Sequence, residues 1–321
     1  MEYRKLGRTG LKVSEVSLGS FLTYGNSTDN AVATAVVDRA YELGVNFFDT
    51  ANVYATGEAE RFLGGALAKF PRESLVLATK VFWPMGKGPN DRGLSRKHIM
   101  EQANASLKRL GMDYVDIYYC HRFDPETPVE ETLRAMDDLV RQGKVLYVGI
   151  SEWTGAQIEQ AIRVADRYLL DRIVVNQPRY NVFQRYIESD IIPVADQYGI
   201  GQVVFSALCG GVMTGKYLTV NDIPADSRAA DPKANMYMDR FLNERCLVKV
   251  RALKKLADEA GMPLARLAVA WTLRLPSVAS SLLGATKISQ IEENVKASGT
   301  VLGDDLLAAI EAVLADDPVK L

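Results

Sequence analysis

The sequence predicts an α/β protein that folds as a closed (β/α)₈ TIM barrel. Short apolar strand patterns alternate eight times with amphipathic helix patterns from residue 16 onward, without a linker rich in Pro, Gly or Ser. Polar or ionisable residues follow most of these strands, and this is where a barrel carries its chemistry. The chain has 321 residues, of which 48% are hydrophobic. This length suits one barrel, so we expect residues 1–321 to form a single domain.

The first element along the chain is an N-terminal β-hairpin, with strands at 3–6 and 11–13 around a Gly-Arg-Thr-Gly turn. The eight barrel strands are predicted at 16–18, 45–49, 75–80, 115–120, 145–150, 173–176, 202–205 and 278–283. Helices are predicted at 30–43, 59–67, 95–110, 129–142, 155–168, 189–198, 241–260 and 288–297. Two segments exceed a minimal barrel: the loop 210–239, long enough to act as a lid or clamp, and an extra C-terminal packing helix at 304–314.

Two nucleotide-binding alternatives receive little support. An open doubly wound sheet normally carries GxGxxG after an early strand, and this spacing does not occur in the chain. The run Gly210 to Lys216 matches GxxxxGK, the start of a triphosphate-binding loop. That motif requires Ser or Thr next for magnesium, whereas Tyr217 follows here. We therefore do not expect triphosphate hydrolysis.

The composition excludes several broad classes of function. The formal net charge is −2 with mixed signs, which argues against nucleic-acid and membrane partners. The three cysteines are odd in number and far apart, so neither a disulfide framework nor a thiolate metal site is expected. No signal peptide or stretch of eighteen apolar residues is present. We expect a soluble, cytoplasmic protein without a metal.

Four polar side chains at or just after strand ends form the candidate catalytic group: Asp49, Tyr54, Lys80 and His121. Taken singly, Asp49 is slightly more typical of a turn residue than of a functional charge, and Lys80 is typical of a solvated strand end. His121 alone fits a satisfied rim histidine and a catalytic one equally well. Their occurrence on one predicted rim is what indicates chemistry. The other histidine, His98, lies in a predicted helix and is expected to face solvent.

Together these side chains suggest proton transfer at a carbonyl group. A tyrosine is a poor acid at neutral pH, but a lysine ammonium stabilises the phenolate and lowers its pKa, and an aspartate keeps that lysine charged. Tyr54 would be the general acid. His121 would orient the carbonyl oxygen and donate a hydrogen bond as charge develops on it.

The whole chain resembles the aldo-keto reductase superfamily. The likeness is carried, in order, by GVNFFDTANVYATGE, LATKVF, YVDIYYCH, VLYVGISEW and LLGATKISQIEEN. Within the superfamily, the sequence is most similar to the β-subunits of voltage-gated potassium channels and their bacterial and plant relatives. That likeness shows in RGLSRKHIMEQANASLKRLGMDYVDIYY, in CGGVMTGKY and in DSR at 226–228.

The resemblance implies an NADP(H)-dependent oxidoreductase of the alcohol dehydrogenase or aldehyde reductase type, whose small-molecule substrate is an aldehyde or ketone. Asp49, Tyr54, Lys80 and His121 match its catalytic tetrad. The matching cofactor residues are Ser151 and Gln177 for the nicotinamide carboxamide, Phe205 for ring stacking, Ser206, Leu208, Gly210, Gly215 and Lys216 for the pyrophosphate, Gly284 after strand eight, and Ser227, Arg228, Thr286, Gln290, Glu293 and Asn294 for the adenosine half. Glu152 departs from the family, where Asn or Arg usually follows the serine.

Several finer points follow from the residues. Arg228, Thr286, Lys287 and Gln290 can supply donors for a 2′-phosphate, which favours NADPH over NADH. An NADP(H)-binding sensor or scaffold subunit with little turnover is the alternative function, although channel subunits commonly carry asparagine where His121 stands. Relatives often form tetramers or larger rings, which leaves a homo-oligomer open. The sequence does not identify the substrate, but aromatic residues that follow strand ends, and Arg122 for an anionic substrate, are candidates to line its pocket: Phe21, Tyr24, Trp83, Phe123 and Trp153.

Overall fold

Eight parallel strands form a closed barrel in the computed structural model, which describes residues 1–21, 23–24, 29–232 and 234–315. The hairpin strands are β1 (Tyr3–Lys5) and β2 (Lys12–Ser14), and the barrel strands are β3 (Val16–Gly19), β4 (Phe47–Asp49), β5 (Val76–Val81), β6 (Val115–Cys120), β7 (Val145–Ile150), β8 (Ile173–Asn176), β9 (Gly201–Phe205) and β10 (Val278–Leu283). Each strand pairs with the next along the chain, and β10 closes the ring against β3. The predicted barrel is confirmed, and the open sheet is excluded.

The N-terminal hairpin lies at the end of the barrel where the strands begin. Its strands pair antiparallel, and Leu6 and Val13 are fully buried together with inward-facing barrel residues such as Phe47. Gly7 has a φ of +57°, and a Cβ there would come within 2.3 Å of the Gly199 carbonyl oxygen. The hairpin therefore closes the floor of the barrel and leaves the opposite end open.

Helices surround the strands, as the alternation predicts. They are α1 (Asn30–Glu42), α2 (Glu58–Leu67), α3 (Arg96–Leu110), α4 (Val129–Arg141), α5 (Gly155–Tyr168), α6 (Ile191–Tyr198), α7 (Glu244–Glu259), α8 (Leu264–Leu273), α9 (Ile288–Asn294) and α10 (Asp304–Ala315). Side-chain caps fix the residues at which several of these helices begin. Thr154 forms a capping box with Gln157 at α5, and the Asp29 carboxylate accepts hydrogen bonds from the first backbone N–H groups of α1.

One helix, α8, is missing from the sequence-based prediction. Its sequence, LARLAVAWTL, is apolar around most of its circumference, and eight of its ten residues are buried. A helix that is buried on nearly all sides lacks the 3.6-residue alternation of apolar and polar positions, so its sequence gives no amphipathic helix signal. The predicted C-terminal helix is present as α10 and packs beside the barrel on α7, where Lys249 Nζ donates to the carbonyl oxygens of Val313 and Leu314 at 3.1 and 3.0 Å.

Two other kinds of feature are absent from the described ranges. No helix there combines the length and apolar character that crossing a bilayer requires. The same residues include no cluster of three or more His, Cys, Asp or Glu side chains arranged to hold a metal ion.

Candidate active site

A large cavity opens at the carboxyl ends of the barrel strands, with a volume of about 1560 Å³. Most of the residues predicted from the sequence line it: Asp49, Tyr54, His121, Ser151, Gln177, Phe205, Ser206, Leu208, Gly210, Lys216, Ser227, Arg228, Gly284, Thr286, Gln290, Glu293 and Asn294. Two predicted residues do not. Lys80 is fully buried behind Asp49. Gly215 faces away from the lining, since a Cβ there would meet Lys254 and Leu264 at 3.6 and 3.7 Å.

The buried ion pair between Asp49 and Lys80 forms the base of the site. Asp49 ends β4 and Lys80 lies on the neighbouring β5, which brings the ammonium against the carboxylate and 2.7 Å from the Thr50 carbonyl oxygen. Gln177 Nε2 donates to the second carboxylate oxygen of Asp49 at 2.9 Å. Burial raises the pKa of Asp49 and lowers the pKa of Lys80, and each partner's charge opposes that shift. The interpretations of Asp49 as a turn residue and of Lys80 as a solvated strand end are therefore wrong.

Tyr54 lies just above this pair, at the start of a short 3₁₀ segment that follows β4. The next two residues, Ala55 and Thr56, have left-handed backbone conformations with φ of 47° and 54°, which are costly for non-glycine residues. The Lys80 ammonium lies 5.1 Å from the centroid of the Tyr54 ring, and the His121 ring meets it edge-on at 5.8 Å. The structure thus brings the four predicted side chains together.

The pKa values differ in one respect from the expectation. Burial raises the pKa of Tyr54 above its usual range and Asp49 raises it further, whereas Arg122 lowers it. The expected fall in the pKa of Tyr54 is wrong, because desolvation of the phenolate outweighs any stabilisation by a lysine that is already paired with Asp49.

His121 is buried and uncharged. Burial holds the pKa of His121 well below its usual range, and the nearby charges of Lys80 and Arg122 lower it further. Its Nδ1 has no hydrogen-bond partner among the described residues. A neutral imidazole still has one N–H to donate, so the ring can serve as a hydrogen-bond donor throughout the physiological pH range.

The segment after β9 supplies a concave, strained backbone along one wall of the cavity. Ser206 and Cys209 have φ of 70° and 50°, and Gly210 and Gly211 also have positive φ. Further along, the Arg228 guanidinium holds the loop by donating to the Ala234 and Met236 carbonyl oxygens at 2.7 and 3.2 Å. No helix follows Lys216, so the chain lacks the geometry of a triphosphate loop, as the sequence indicates.

The opposite wall comes from the segment after β10. Gln290 Oε1 accepts hydrogen bonds from the backbone N and the hydroxyl of Thr286 at 2.8 and 3.2 Å. Lys287 Nζ lies 3.2 Å from an Asp226 carboxylate oxygen, which links this wall to the long loop. Glu293 is held by Arg266 at 2.6 Å and by Lys296 at 3.0 Å.

The cavity has features that suit a dinucleotide. The buried Ser227 hydroxyl lines it without a hydrogen-bond partner among the described residues, and the aromatic side chain of Phe205 also lines it. The glycines with positive φ allow a close approach of backbone to a ligand. Glu152, which departs from the family pattern, is engaged by the protein: Oε1 accepts from the Arg179 backbone N at 2.6 Å and the Tyr186 hydroxyl at 2.8 Å.

Some aromatic predictions are corrected by the packing. Phe21 and Trp83 line the cavity, whereas Tyr24 packs on Phe62 and Phe123 packs on Trp153 outside the lining. Whether each aromatic side chain lines the cavity or packs elsewhere depends on the path of its loop, and the spacing of residues in the sequence does not reveal that path.

His98 is buried, so its predicted exposure is wrong. It lies in the first turn of α3, and its backbone N donates to Oγ of the N-cap residue Ser95 at 3.3 Å. Arg179 and Arg240 also line the cavity and were not singled out from the sequence. Arg179 follows Gln177 by two positions, which is the signal that was available.

A barrel with a buried Lys–Asp pair beneath a tyrosine and a histidine has the architecture of aldo/keto reductases, and the chain belongs to the aldo/keto reductase family. The family model matches residues 15–315. This membership supports an oxidoreductase from a family that generally uses NAD(P)H.

The named relatives are potassium-channel β-subunits. A "probable voltage-gated potassium channel subunit beta" from Oryza sativa subsp. japonica is 47% identical over 325 residues, covering 100% of this chain and 98% of the relative. Its Arabidopsis thaliana counterpart is 46% identical with the same coverage. A "putative" one from Schizosaccharomyces pombe is 42% identical over 329 residues, covering 99% and 95%. The predicted resemblance is therefore confirmed.

Proposed function

We propose that the protein is an NADPH-dependent reductase of aldehydes and ketones. The observation that carries the proposal is the buried Asp49–Lys80 pair lying directly against Tyr54, beside a neutral His121 and at the wall of a large cavity. When a carbonyl carbon accepts a hydride, its oxygen becomes an alkoxide and needs a proton. Tyr54 and His121 line the cavity and carry the O–H and N–H groups that such an oxygen requires.

Tyr54 is the proposed general acid. Its raised pKa keeps the phenol protonated, so the proton is present when it is needed, and an alkoxide is a stronger base than a phenolate. Lys80 and Asp49 hold the position of the phenol from below. The His121 imidazole donates a hydrogen bond to the same oxygen as negative charge develops there.

The cofactor would lie along the cavity between the two walls. Ser151 and Gln177 would hold the nicotinamide carboxamide, Phe205 would stack on the ring, and the segment from Ser206 to Lys216 would hold the pyrophosphate. The adenosine half would meet the segment after β10 and the Ser227–Arg228 turn. When bound, NADPH supplies the hydride.

A tyrosine-to-phenylalanine substitution tests the mechanism. Replacing Tyr54 by Phe removes the transferred proton and leaves the ring, so we expect kcat for a simple aldehyde such as 4-nitrobenzaldehyde to fall by roughly 10²–10⁴-fold. NADPH affinity, measured by fluorescence titration, should change by less than about threefold, because other residues hold the cofactor. The Tyr198→Phe variant, altered outside the cavity, should behave as wild type. Undiminished turnover in the Tyr54 variant would contradict the mechanism.

A second candidate function is suggested by the names of the relatives: a cofactor-binding β-subunit of a potassium channel with little turnover. The same assay separates the two. A sensor subunit binds NADPH, but none of the carbonyl compounds tested causes it to oxidise the cofactor. A reductase oxidises NADPH repeatedly when a carbonyl substrate is present.

A further inference from the structure

We propose that the substrate of this site is a flat, apolar carbonyl compound that carries a carboxylate, bound by Arg122 and Arg179. This inference rests on the proposed function and narrows its substrate class.

The tetrad end of the cavity is an aromatic wall. Phe21 lies 4.9 Å from Tyr54 between ring centroids, and Trp83 lies 6.3 Å from His121. All four rings line the cavity. A flat apolar body can pack against this wall while its carbonyl oxygen faces Tyr54 and His121.

Guanidinium groups stand at the edge of this wall. Arg122 Cζ lies 5.6 Å from the Trp83 ring centroid, and Arg179 Cζ lies 5.3 Å from the Phe205 ring centroid. Arg240, from the long loop, also lines the cavity. Among the described residues, Arg122 donates only to the His121 carbonyl oxygen and to Ser151 Oγ at 3.4 Å, and none of the three forms an ion pair with a carboxylate.

The acids at this end of the cavity are already engaged. Asp49 is bound by Lys80 and Gln177, and the Glu152 carboxylate accepts the Arg179 backbone N–H and the Tyr186 hydroxyl. Burial lowers the pKa of Arg179, and the like charges of Arg240 and Arg122 lower it further, while Glu152 acts in the opposite direction. A bound carboxylate would supply charged hydrogen-bond acceptors for the guanidinium groups of Arg122 and Arg179.

The cofactor phosphates do not account for these arginines. The cations proposed to meet the phosphates, Lys216, Arg228 and Lys287, come from the segments after β9 and β10. Arg122 directly follows His121 after β6, and Arg179 lies two residues beyond Gln177 after β8. They therefore lie at the end of the cavity where the carbonyl substrate reacts.

A matched pair of aldehydes tests the inference. We would compare 4-formylbenzoate with its neutral methyl ester under saturating NADPH at low salt. We expect kcat/KM to favour the carboxylate by about tenfold or more, chiefly through KM, because hydrogen bonds to charged groups are strong. Added KCl should reduce this preference. This measurement needs no variant.

Variants then locate the effect. In Arg122→Gln and Arg179→Gln the preference should shrink, and in the double variant the ratio of the two specificity constants should approach one. The exposed Arg163→Gln, on α5, should keep the wild-type ratio. Equal or better use of the ester by the wild type, or a ratio that survives the double substitution, would overturn the inference. Absence of turnover with both aldehydes would instead contradict the proposed reductase function.

Discussion

Single side chains at the two ends of the cavity set the proposed chemistry and the proposed cofactor choice. At the tetrad end, burial controls the pKa values. At the far end the charges are exposed: the side chains of Lys287 and Asp226 are 58% and 79% accessible, respectively. Arg228, by contrast, already uses its guanidinium on loop carbonyl oxygens. Lys287 is also paired, with Asp226, but both side chains are exposed and a surface ion pair is weak, so Lys287 can exchange this partner for a 2′-phosphate. It is therefore the better candidate.

Replacing Lys287 by Met should lower the NADPH preference. We expect the ratio of kcat/KM for NADPH to that for NADH to fall roughly tenfold, because a charge-assisted contact to the 2′-phosphate is lost. The Lys255→Met variant, an exposed lysine on α7, should leave the ratio unchanged. A wild-type enzyme that prefers NADH would contradict the assignment of NADPH, and an unaltered ratio would remove Lys287 from it.

Between elements, close packing of α2 on α3 shows how strongly the barrel's outer layer is constrained. Two adjacent glycines in α2 meet opposite environments. A Cβ at Gly64 would lie 2.1 Å from the Leu110 carbonyl oxygen at the end of α3, whereas a Cβ at Gly65 meets nothing within 4 Å.

The two glycines form a matched pair for mutation. Gly65→Ala should raise the free energy of unfolding by about 0.4–1 kcal/mol, because alanine restricts the unfolded chain. Gly64→Ala gains the same entropy but forces the two helices apart, so we expect a net loss of about 1–3 kcal/mol. Urea unfolding of both variants measures the difference. Similar stabilities would mean that α2 and α3 are not packed as described.

Across the whole molecule, Glu15 joins the hairpin, the barrel and the chain that follows α9. Its carboxylate accepts Arg4 Nε at 2.6 Å, Ser298 Oγ at 2.9 Å and the Gly299 backbone N at 2.8 Å. Burial raises the pKa of Glu15, but these donors together bring it below the usual range.

This carboxylate predicts a pH-dependent contribution to stability. A depressed pKa in the folded state stabilises the fold above the unfolded pKa of about 4.3, and this stabilisation is lost as the pH falls through the folded value. Glu15→Gln should therefore be less stable than wild type by about 1–3 kcal/mol at neutral pH, with the gap closing in acid. The exposed Glu126→Gln should show no such gap. A gap independent of pH would rule out the ionic origin.

The barrel, the hairpin, the family and the four residues of the candidate tetrad can be predicted from the sequence alone. These features can be predicted because the strand and helix periods repeat eight times, and because the polar residues that end parallel strands lie on one rim of a barrel. The order of elements thus fixes which side chains can meet, before any contact is known.

Burial, charge state and the course of the loops became clear only from the folded chain. The structure shows that His98 is buried, that α8 is present and that Arg122 and Arg179 line the same cavity. It also shows that Tyr24, Phe123 and Trp153 are packing residues. It also reversed the expected shift in the pKa of Tyr54. The physical reason is common to these cases: desolvation and side-chain packing depend on neighbours distant in the chain, and no local period records them.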